Sequence, residues 1–227
     1  MSSFCFSSSA FADIGLASNS ITVFVQPRTK VVVVGTVFTV DICIENVPEN
    51  GLFSYQLTLS YNNTVLEGIN VTLPEGHFLE PEQPNLIFVV QCLVNQTRGK
   101  VYLAVTLLGD PPAKMGNGTL ATVTFRANST GNSILNILDI PWDKLILSPQ
   151  AGPPYEDVNI LNGFTEVVSP DLNSDSEVDL QDLTLQKSAF GSRPGNPRWN
   201  PKADVNRDNI INIVDVALIA INFGKPL

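Results

Sequence analysis

A duplicated acidic segment near the C-terminus constrains the fold of this chain more than any other feature. The first copy starts at Asp171 and the second at Asp204, 33 positions later, and both have Asp or Asn at their first, third, fifth, ninth and twelfth positions. A repeat at a fixed offset indicates two copies of one structural unit. Each copy runs into a stretch with helical apolar spacing that stops at a glycine, Gly191 or Gly224. The sequence therefore predicts two loop-helix units.

The spacing within each copy is typical of a calcium-binding loop. Ca²⁺ takes about six to eight oxygen ligands, and loops of about 12 residues supply them from positions 1, 3, 5, 7, 9 and 12. The ligands predicted for two Ca²⁺ ions are Asp171, Asn173, Asp175, the carbonyl of Glu177, Asp179 and Asp182 in the first copy, and Asp204, Asn206, Asp208, the carbonyl of Ile210, Asn212 and Asp215 in the second. Position 6, where such loops have glycine, holds Ser176 or Asn209, and we expect more backbone strain at the serine.

The region before these loops has a strand pattern. Residues 20–168 form a succession of short apolar runs separated by turn residues, and polar and apolar residues alternate clearly in 38–45 and 53–61. Such runs, without an amphipathic helix among them, are typical of an antiparallel β-sandwich. We therefore predict a mainly β chain with a sandwich at 20–168 and a small α module at 169–227. Residues 1–19 are predicted to be an N-terminal arm or the remnant of a signal peptide.

Composition excludes several classes of function. The chain has 13 Lys and Arg against 22 Asp and Glu, a net charge of −9, which argues against nucleic acid and anionic membranes as partners. A multi-histidine metal site cannot form, because His77 is the single histidine. It lies in a Pro-Glu-Gly turn and is predicted to be an ordinary loop residue. No nucleophile elbow or recognisable carboxylate pair is present, so we predict no enzymatic activity.

Three features predict a secreted or cell-surface protein. Residues 1–12 are apolar and small and end in Ala-Phe-Ala, like a signal-peptidase site without a basic start. Five N-x-T sequons, predicted to be glycosylated at strand ends or turns, lie at Asn62, Asn70, Asn95, Asn117 and Asn128. With Cys5 in the first segment, Cys43 and Cys92 remain to form one disulfide, and two buried free thiols are the alternative. Outside this segment no apolar run is long enough to span a membrane.

The sandwich region resembles the cohesin domain family, which implies a jelly-roll sandwich. The stretches that carry the resemblance are 40–48 (VDICIENVP), 51–62 (GLFSYQLTLSYN), 65–67 (VLE), 116–125 (GNGTLATVTF) and 163–165 (GFT). Other extracellular sandwiches share such stretches, including carbohydrate-binding modules. A sugar-binding sandwich therefore stays open as an alternative, with Trp142 as its main aromatic candidate.

Residues 171–224 resemble the dockerin module, because the loop spacing, the repeat offset and the proline-rich linker at 194–201 occur together. The resemblance implies non-catalytic, Ca²⁺-dependent binding to a cohesin through loop positions 10, 11, 17 and 18. Those positions hold Leu180, Gln181, Lys187 and Ser188 in the first copy and Ile213, Val214, Ala220 and Ile221 in the second. We predict that the apolar second set anchors the interface, and the alternative for Val214 and Ile221 is the module's own core.

A chain with both halves of such a pair is predicted to assemble with other chains. Only Ser169 and Pro170 separate the last predicted strand from the first loop, too few to bring the module onto a sheet face of its own sandwich. We therefore expect head-to-tail self-assembly into an extracellular filament or surface layer. The alternative is an adaptor that binds dockerins of other proteins through its sandwich and a larger scaffold through its dockerin.

Overall fold

The structure, a computed structural model, describes residues 20–83, 86–112 and 114–224. Two β-sheets pack face to face up to residue 168, and two short helices follow them. The prediction of a mainly β chain with a small helical C-terminal part is confirmed. The predicted arm or signal remnant at 1–19 lies outside the described residues. Within the described ranges, no helix has the length and hydrophobicity needed to span a membrane.

The described elements are short, apart from two long strands. The strands are β1 (Ile21–Gln26), β2 (Thr29–Val33), β3 (Val37–Leu52), β4 (Ser54–Ser60), β5 (Leu66–Thr72), β6 (Ile87–Asn95), β7 (Lys100–Leu107), β8 (Lys114–Ala127), β9 (Gly131–Ile137), β10 (Ile146–Ser148), β11 (Val158–Leu161) and β12 (Gly163–Val168). The helices are α1 (Leu180–Ala189) and α2 (Ile213–Ala220), and one turn of 3-10 helix (Gln96–Arg98) follows β6.

The two sheets contain five and seven strands. The five-stranded sheet has the order β11-β1-β3-β8-β5, and the seven-stranded sheet has the order β2-β12-β9-β4-β7-β6 with β10 paired to β4. Neighbouring strands are antiparallel as predicted, except for two parallel pairs, β1 with β11 and β2 with β12. The chain crosses from one sheet to the other between β1 and β2. Each of these first two strands pairs with one of the last two strands, β1 with β11 and β2 with β12.

Side-chain alternation fills the space between the sheets. In β4, Tyr55, Leu57 and Leu59 are buried in the core, whereas Gln56 and Ser60 lie on the outer side. β3 continues past the alternating stretch at 38–45 and ends at Leu52. Register shifts against β8 on both sides of Val47, with Asn46 in a left-handed conformation (φ 62°), let the strand bend without ending.

The C-terminal module packs directly against its own sandwich. Its apolar cluster contains Leu172, Val178, Ala189, Ala203, Val205, Ile211 and Ile219, together with Val33 of β2 and Val168 of β12. Val33 and Val168 point away from the sandwich core, because their neighbours Val32 and Val167 point into it. Arg207 adds an ion pair with Glu166 of β12 at 3.1 Å. The short linker was predicted to keep the module off the sheet faces of its own sandwich. This prediction is wrong at this edge, because the module contacts the outer side of β2 and β12.

Candidate functional site

The two acidic loops have the same backbone conformation. Positions 4 and 6 are left-handed in both, at Ser174 (φ 65°) and Ser176 (φ 74°) and at Arg207 (φ 62°) and Asn209 (φ 66°). None of these residues is glycine, so each loop holds two residues in a conformation that costs free energy for a side chain with a Cβ. Serine tolerates this conformation less well than asparagine, so the extra strain predicted for the first loop falls at Ser176.

The carboxylate at position 1 holds the turn of each loop. Asp171 accepts hydrogen bonds from the backbone N–H groups of Ser174 (2.6 Å) and Ser176 (2.8 Å). Asp204 does the same for Asp208 (3.1 Å) and Asn209 (2.9 Å). The Asp and Asn residues repeated along each loop therefore hold the same backbone shape in both copies.

The carboxylate at position 12 is the most deeply buried polar group of each loop. Asp182 and Asp215 are fully buried, and each accepts a hydrogen bond from the backbone of position 9, Asp179 or Asn212, at 2.8 Å. Position 9 in turn caps the following helix in a reciprocal capping box. Among the ion pairs of the described residues, none involves either buried carboxylate. Burying a carboxylate without a counter-charge is costly, and a bound cation would remove that cost.

The donor groups fit Ca²⁺ by type and order. Within the described ranges, no three His, Cys, Asp or Glu side chains form a ready-made metal cluster. The predicted donor set does not require one, because it includes Asn at position 3 and a backbone carbonyl at position 7 in both loops. The carboxylates at positions 1 and 12 hold backbone N–H groups of their own loop and keep further lone pairs for a cation.

The residues predicted to bind a partner all lie on the module surface. The exposed set is Leu180, Gln181, Lys187 and Ser188, here called the first-copy face, and Ile213, Val214, Ala220 and Ile221, here called the second-copy face. Val214 is 48% exposed and Ile221 is 62% exposed. The alternative that these two fill the module's own core is therefore wrong. α1 and α2 end at Ala189 and Ala220, slightly before the predicted glycine stops.

A second exposed surface, missed by the sequence reasoning, lies on the outer side of the seven-stranded sheet. We call it the docking face; its residues on β9, β4, β7 and β6 are Ile134, Asn136, Gln56, Ser60, Lys100, Tyr102, Phe88, Gln91 and Leu93. Its centre is polar, while Ile134 (60% exposed) and Phe88 (55% exposed) are apolar residues at its two sides. One sign of this surface was present in the sequence. Residues 87–90 are all apolar, so an edge strand at this place has apolar side chains on both of its faces.

The predicted Cys43–Cys92 disulfide is wrong. Cys92 is a free thiol that donates a hydrogen bond to the carbonyl of Val71 at 3.4 Å, and burial raises the pKa of this thiol. Cys43 is disulfide-bonded, but its partner is not Cys92. The physical reason is orientation: Ile42 and Ile44 point into the sandwich core and Cys43 between them points out, whereas Cys92 packs against that core.

The five sequons lie in different local structures. Asn62 and Asn128 lie outside the strands, and Asn95 ends β6, where it caps the following turn through Arg98 N–H. Asn70 and Asn117 lie inside β5 and β8, so the prediction of strand ends or turns is wrong for these two. All except Asn95 are exposed, and Asn95 is half-buried. Glycosylation of the five stays a prediction.

Comparisons with known proteins match both parts of the chain. The model of the cohesin domain matches residues 22–141, and that of the dockerin type I domain matches residues 169–223. The third cohesin of ScaC from Acetivibrio cellulolyticus, solved in complex with the ScaB dockerin, has 14% identity and a TM-score of 0.51, covering 65% of this chain and 98% of that chain. The comparison with curated proteins found no match.

Two further solved structures have similar scores. A chain of the type I cohesin–dockerin complex with OlpC from Clostridium thermocellum has 16% identity and a TM-score of 0.52, covering 69% of this chain and 99% of that chain. The seventh ScaB type I cohesin from Pseudobacteroides cellulosolvens has 20% identity and a TM-score of 0.50, covering 66% and 93%. At these identities the similarity shows the sandwich fold alone.

Proposed function

Because the chain belongs to the cohesin family and carries a type I dockerin domain after its sandwich, we propose that it joins copies of itself head to tail. Cohesin and dockerin domains are non-catalytic modules that bind each other, which gives the chain a role in protein assembly. The finer proposal is an extracellular filament or surface layer, in which the dockerin at 169–227 of one copy binds the sandwich at 20–168 of the next.

The observation that carries this proposal is that one chain leaves both surfaces open. Its module is fixed at the β2–β12 edge, yet Ile213 on the second-copy face is 67% exposed, and Ile134 on the docking face is exposed to a similar degree. The chain therefore does not bind itself within one copy. A contact between two different surfaces of neighbouring copies does not close on itself, so it extends into an open chain.

The charge distribution supports contact between unlike modules. Residues 170–227 contain 8 acidic and 6 basic residues, and the rest of the chain contains 14 acidic and 7 basic ones. Residues 1–169 therefore have a net charge of −7, of which the sandwich at 20–168 carries −6, and the module has a net charge of −2. Two bound Ca²⁺ ions would bring the module to +2, opposite in sign to the sandwich.

Calcium links the fold of the module to its activity in this proposal. The type I dockerin family binds calcium, and we propose one ion in each loop, held by the ligands predicted above. The buried carboxylates at position 12 support this assignment, because the ions would neutralise them. Holding both loops would also fix α1 and α2, which present the two binding faces. Of these, we propose the apolar second-copy face as the one that enters the docking face.

Sedimentation velocity of the full chain over a range of protein concentrations tests the proposal. With Ca²⁺, we expect species that grow steadily in size as the concentration rises, and with a chelator we expect monomer. The control is a full chain with Val214→Asp and Ile221→Asp, which should stay monomeric in Ca²⁺ and should cap the wild-type polymer when mixed with it. A wild-type monomer at all concentrations in Ca²⁺ would contradict self-assembly. If that monomer bound a foreign dockerin or cohesin, the adaptor would be the better reading.

The exposed aromatic side chains of the sandwich do not favour the alternative that it binds sugars. Flat sugar-binding platforms need several exposed planar aromatic rings. Of the described Trp and Tyr residues, Trp142 alone is largely exposed; Tyr55 and Tyr61 are buried, and Tyr102 and Tyr155 are half-buried. A single exposed Trp or Tyr ring does not form a platform.

A further inference from the structure

The segment between β9 and β10 presents an exposed tryptophan. Trp142 is 93% exposed, and Ile140, two residues before it, is 47% exposed. A tryptophan ring offers roughly 150–250 Å² of surface for burial, so leaving it in water forgoes much of the hydrophobic stabilisation available to this residue. Together with exposed Ile140, the ring forms an apolar surface that is available to a partner.

The turn that carries Trp142 is held in place from both sides. Ile140 and Asp143 pair as an antiparallel bridge, in which the Asp143 N–H donates to the Ile140 carbonyl at 3.0 Å. The Asp143 carboxylate is buried and accepts a hydrogen bond from the ammonium of Lys100 at 2.6 Å. The ring is thus presented on a fixed support, which lowers the conformational entropy that binding would cost.

The same contacts place the turn beside the docking face. Lys100 points to the outer side of β7, because its neighbour Val101 points into the core. The chain entering the turn is also bonded to β4, since Leu138 N–H donates to the carbonyl of Thr58 at 2.9 Å. The turn therefore sits over the β4–β7 part of the docking face. The chain's own module lies at the other edge, on β2 and β12.

On the basis of the proposed head-to-tail contact, we infer that Trp142 is the apolar anchor of the docking face and packs against the second-copy face of another copy. That face offers Ile213 and Val214 at the start of α2 and Ile221 at its C-terminal cap, all exposed. Tryptophan is among the residues most enriched at interface hot spots, where it packs in a contact that excludes water. The acidic sandwich and the calcium-loaded module attract each other, which brings the two apolar surfaces together.

The test uses two full-length chains that can make one contact only. The acceptor carries Val214→Asp and Ile221→Asp, and the donor carries Phe88→Asp and Ile134→Asp, so that a single donor–acceptor pair forms in Ca²⁺. Titration calorimetry then gives its Kd. Adding Trp142→Ala to the acceptor should raise Kd by about 30-fold or more, the usual effect of removing a hot-spot residue. The matched control is Met115→Ala, an exposed apolar residue on β8 of the other sheet, which should leave Kd unchanged.

The fluorescence of Trp142 provides a second measurement that does not depend on the Kd. The chain has two tryptophans, so Trp199→Phe in the acceptor leaves Trp142 as its single indole. With a donor that also lacks both tryptophans, binding should shift the emission of Trp142 to shorter wavelength and protect it from acrylamide. Circular dichroism of each variant, before mixing, checks that the sandwich is folded.

Each outcome separates this inference from the proposed function. If no donor–acceptor pair forms at all, the head-to-tail contact fails and the role of Trp142 fails with it. If the pair forms, but Trp142→Ala behaves like Met115→Ala and the emission does not change, only the inference about Trp142 is overturned. If a soluble β-glucan oligosaccharide shifts the emission without any donor, the residue is a sugar contact and the inference is also overturned.

Discussion

The two loop-helix copies have the same backbone and different surfaces. Both hold left-handed residues at positions 4 and 6, bury the carboxylate of position 12 and cap the helix from position 9. At the exposed positions, however, Gln181, Lys187 and Ser188 of the first copy correspond to Val214, Ala220 and Ile221 of the second. We infer that what the copies share serves the loop and its proposed ion, and that what differs serves the proposed contact with a partner. Two equivalent binding modes are therefore not expected from this module.

The copies also differ inside the module. Gln186 of α1 and Ile219 of α2 are 33 positions apart, and both are fully buried. The amide oxygen and nitrogen of Gln186 have no hydrogen-bond partner among the described residues, whereas Ile219 joins the apolar cluster. The first copy therefore carries both the more polar surface and a polar side chain in the core.

Removing the position-12 carboxylates is the strongest test of what the two copies share, namely the loop backbone and its proposed ion. Asp182→Ala and Asp215→Ala should each remove one of the two proposed ions and lower the free energy of unfolding of the module by about 3–5 kcal/mol, because each leaves buried N–H groups and an incomplete ligand set. Calorimetric titration with Ca²⁺ and thermal unfolding of the full chain measure the two effects.

The control for the ligand variants is Glu177→Ala. This residue occupies position 7, where the backbone carbonyl is the predicted ligand and the side chain is exposed. We expect unchanged stoichiometry and a small change in stability. A wild-type stoichiometry of one ion, or an effect confined to one copy, would show that the shared backbone does not mean a shared function.

The difference between the surfaces is tested by the same change at equivalent positions. Ile221→Asp should weaken self-association by at least about 30-fold, because it places a charge where an apolar contact is proposed. Ser188→Asp should change it less than about threefold, as expected for a polar residue at an interface rim. Sedimentation equilibrium in Ca²⁺ gives both values, with the melting temperature of each variant as the check on folding. Equal losses would mean that both copies contact the partner.

The difference inside the module predicts a stabilising substitution. Gln186→Leu removes two buried polar atoms without partners and should raise the free energy of unfolding by about 1–3 kcal/mol. The reverse change at the equivalent position, Ile219→Gln, should lower it by a similar amount. Urea unfolding of the full chain in Ca²⁺ measures both. A loss of stability in Gln186→Leu would show that the amide is bonded to a buried water, and the two copies would then be equally well packed.

The sequence was most informative where a pattern has one physical reading. The offset between Asp171 and Asp204 predicted the paired loop-helix units, and alternation along β4 predicted which side chains face the core. It was least informative where apolar residues occupy both sides of a strand. Consecutive apolar residues conceal orientation, so the exposed side of β6 and the module contact through Val33 were both missed.

The smallest effect that we predict is a pH dependence of stability that arises in the sandwich and not in the module, because the sandwich contains the single histidine. His77 lies between β5 and β6, where it is buried and its Nδ1 has no hydrogen-bond partner within the described part of the chain. Burial lowers the pKa of His77 below its ordinary value of 6.5; nearby Glu80 opposes this shift and Lys114 adds to it. The unfolded chain therefore takes up the proton more readily than the folded one as the pH falls below about 6.5.

The stability that depends on neutral His77 is thus complete above pH 6.5 and decreases as the pH falls toward the lowered pKa. Thermal unfolding between about pH 7.5 and pH 5.5 should show this loss in the sandwich transition. In His77→Gln, which cannot take up a proton, the slope with pH should be smaller, while the transition of the module should have the same slope in both proteins. An unchanged slope in the sandwich would mean that His77 is reached by water in the folded state, and that the loop around it opens well below the melting temperature.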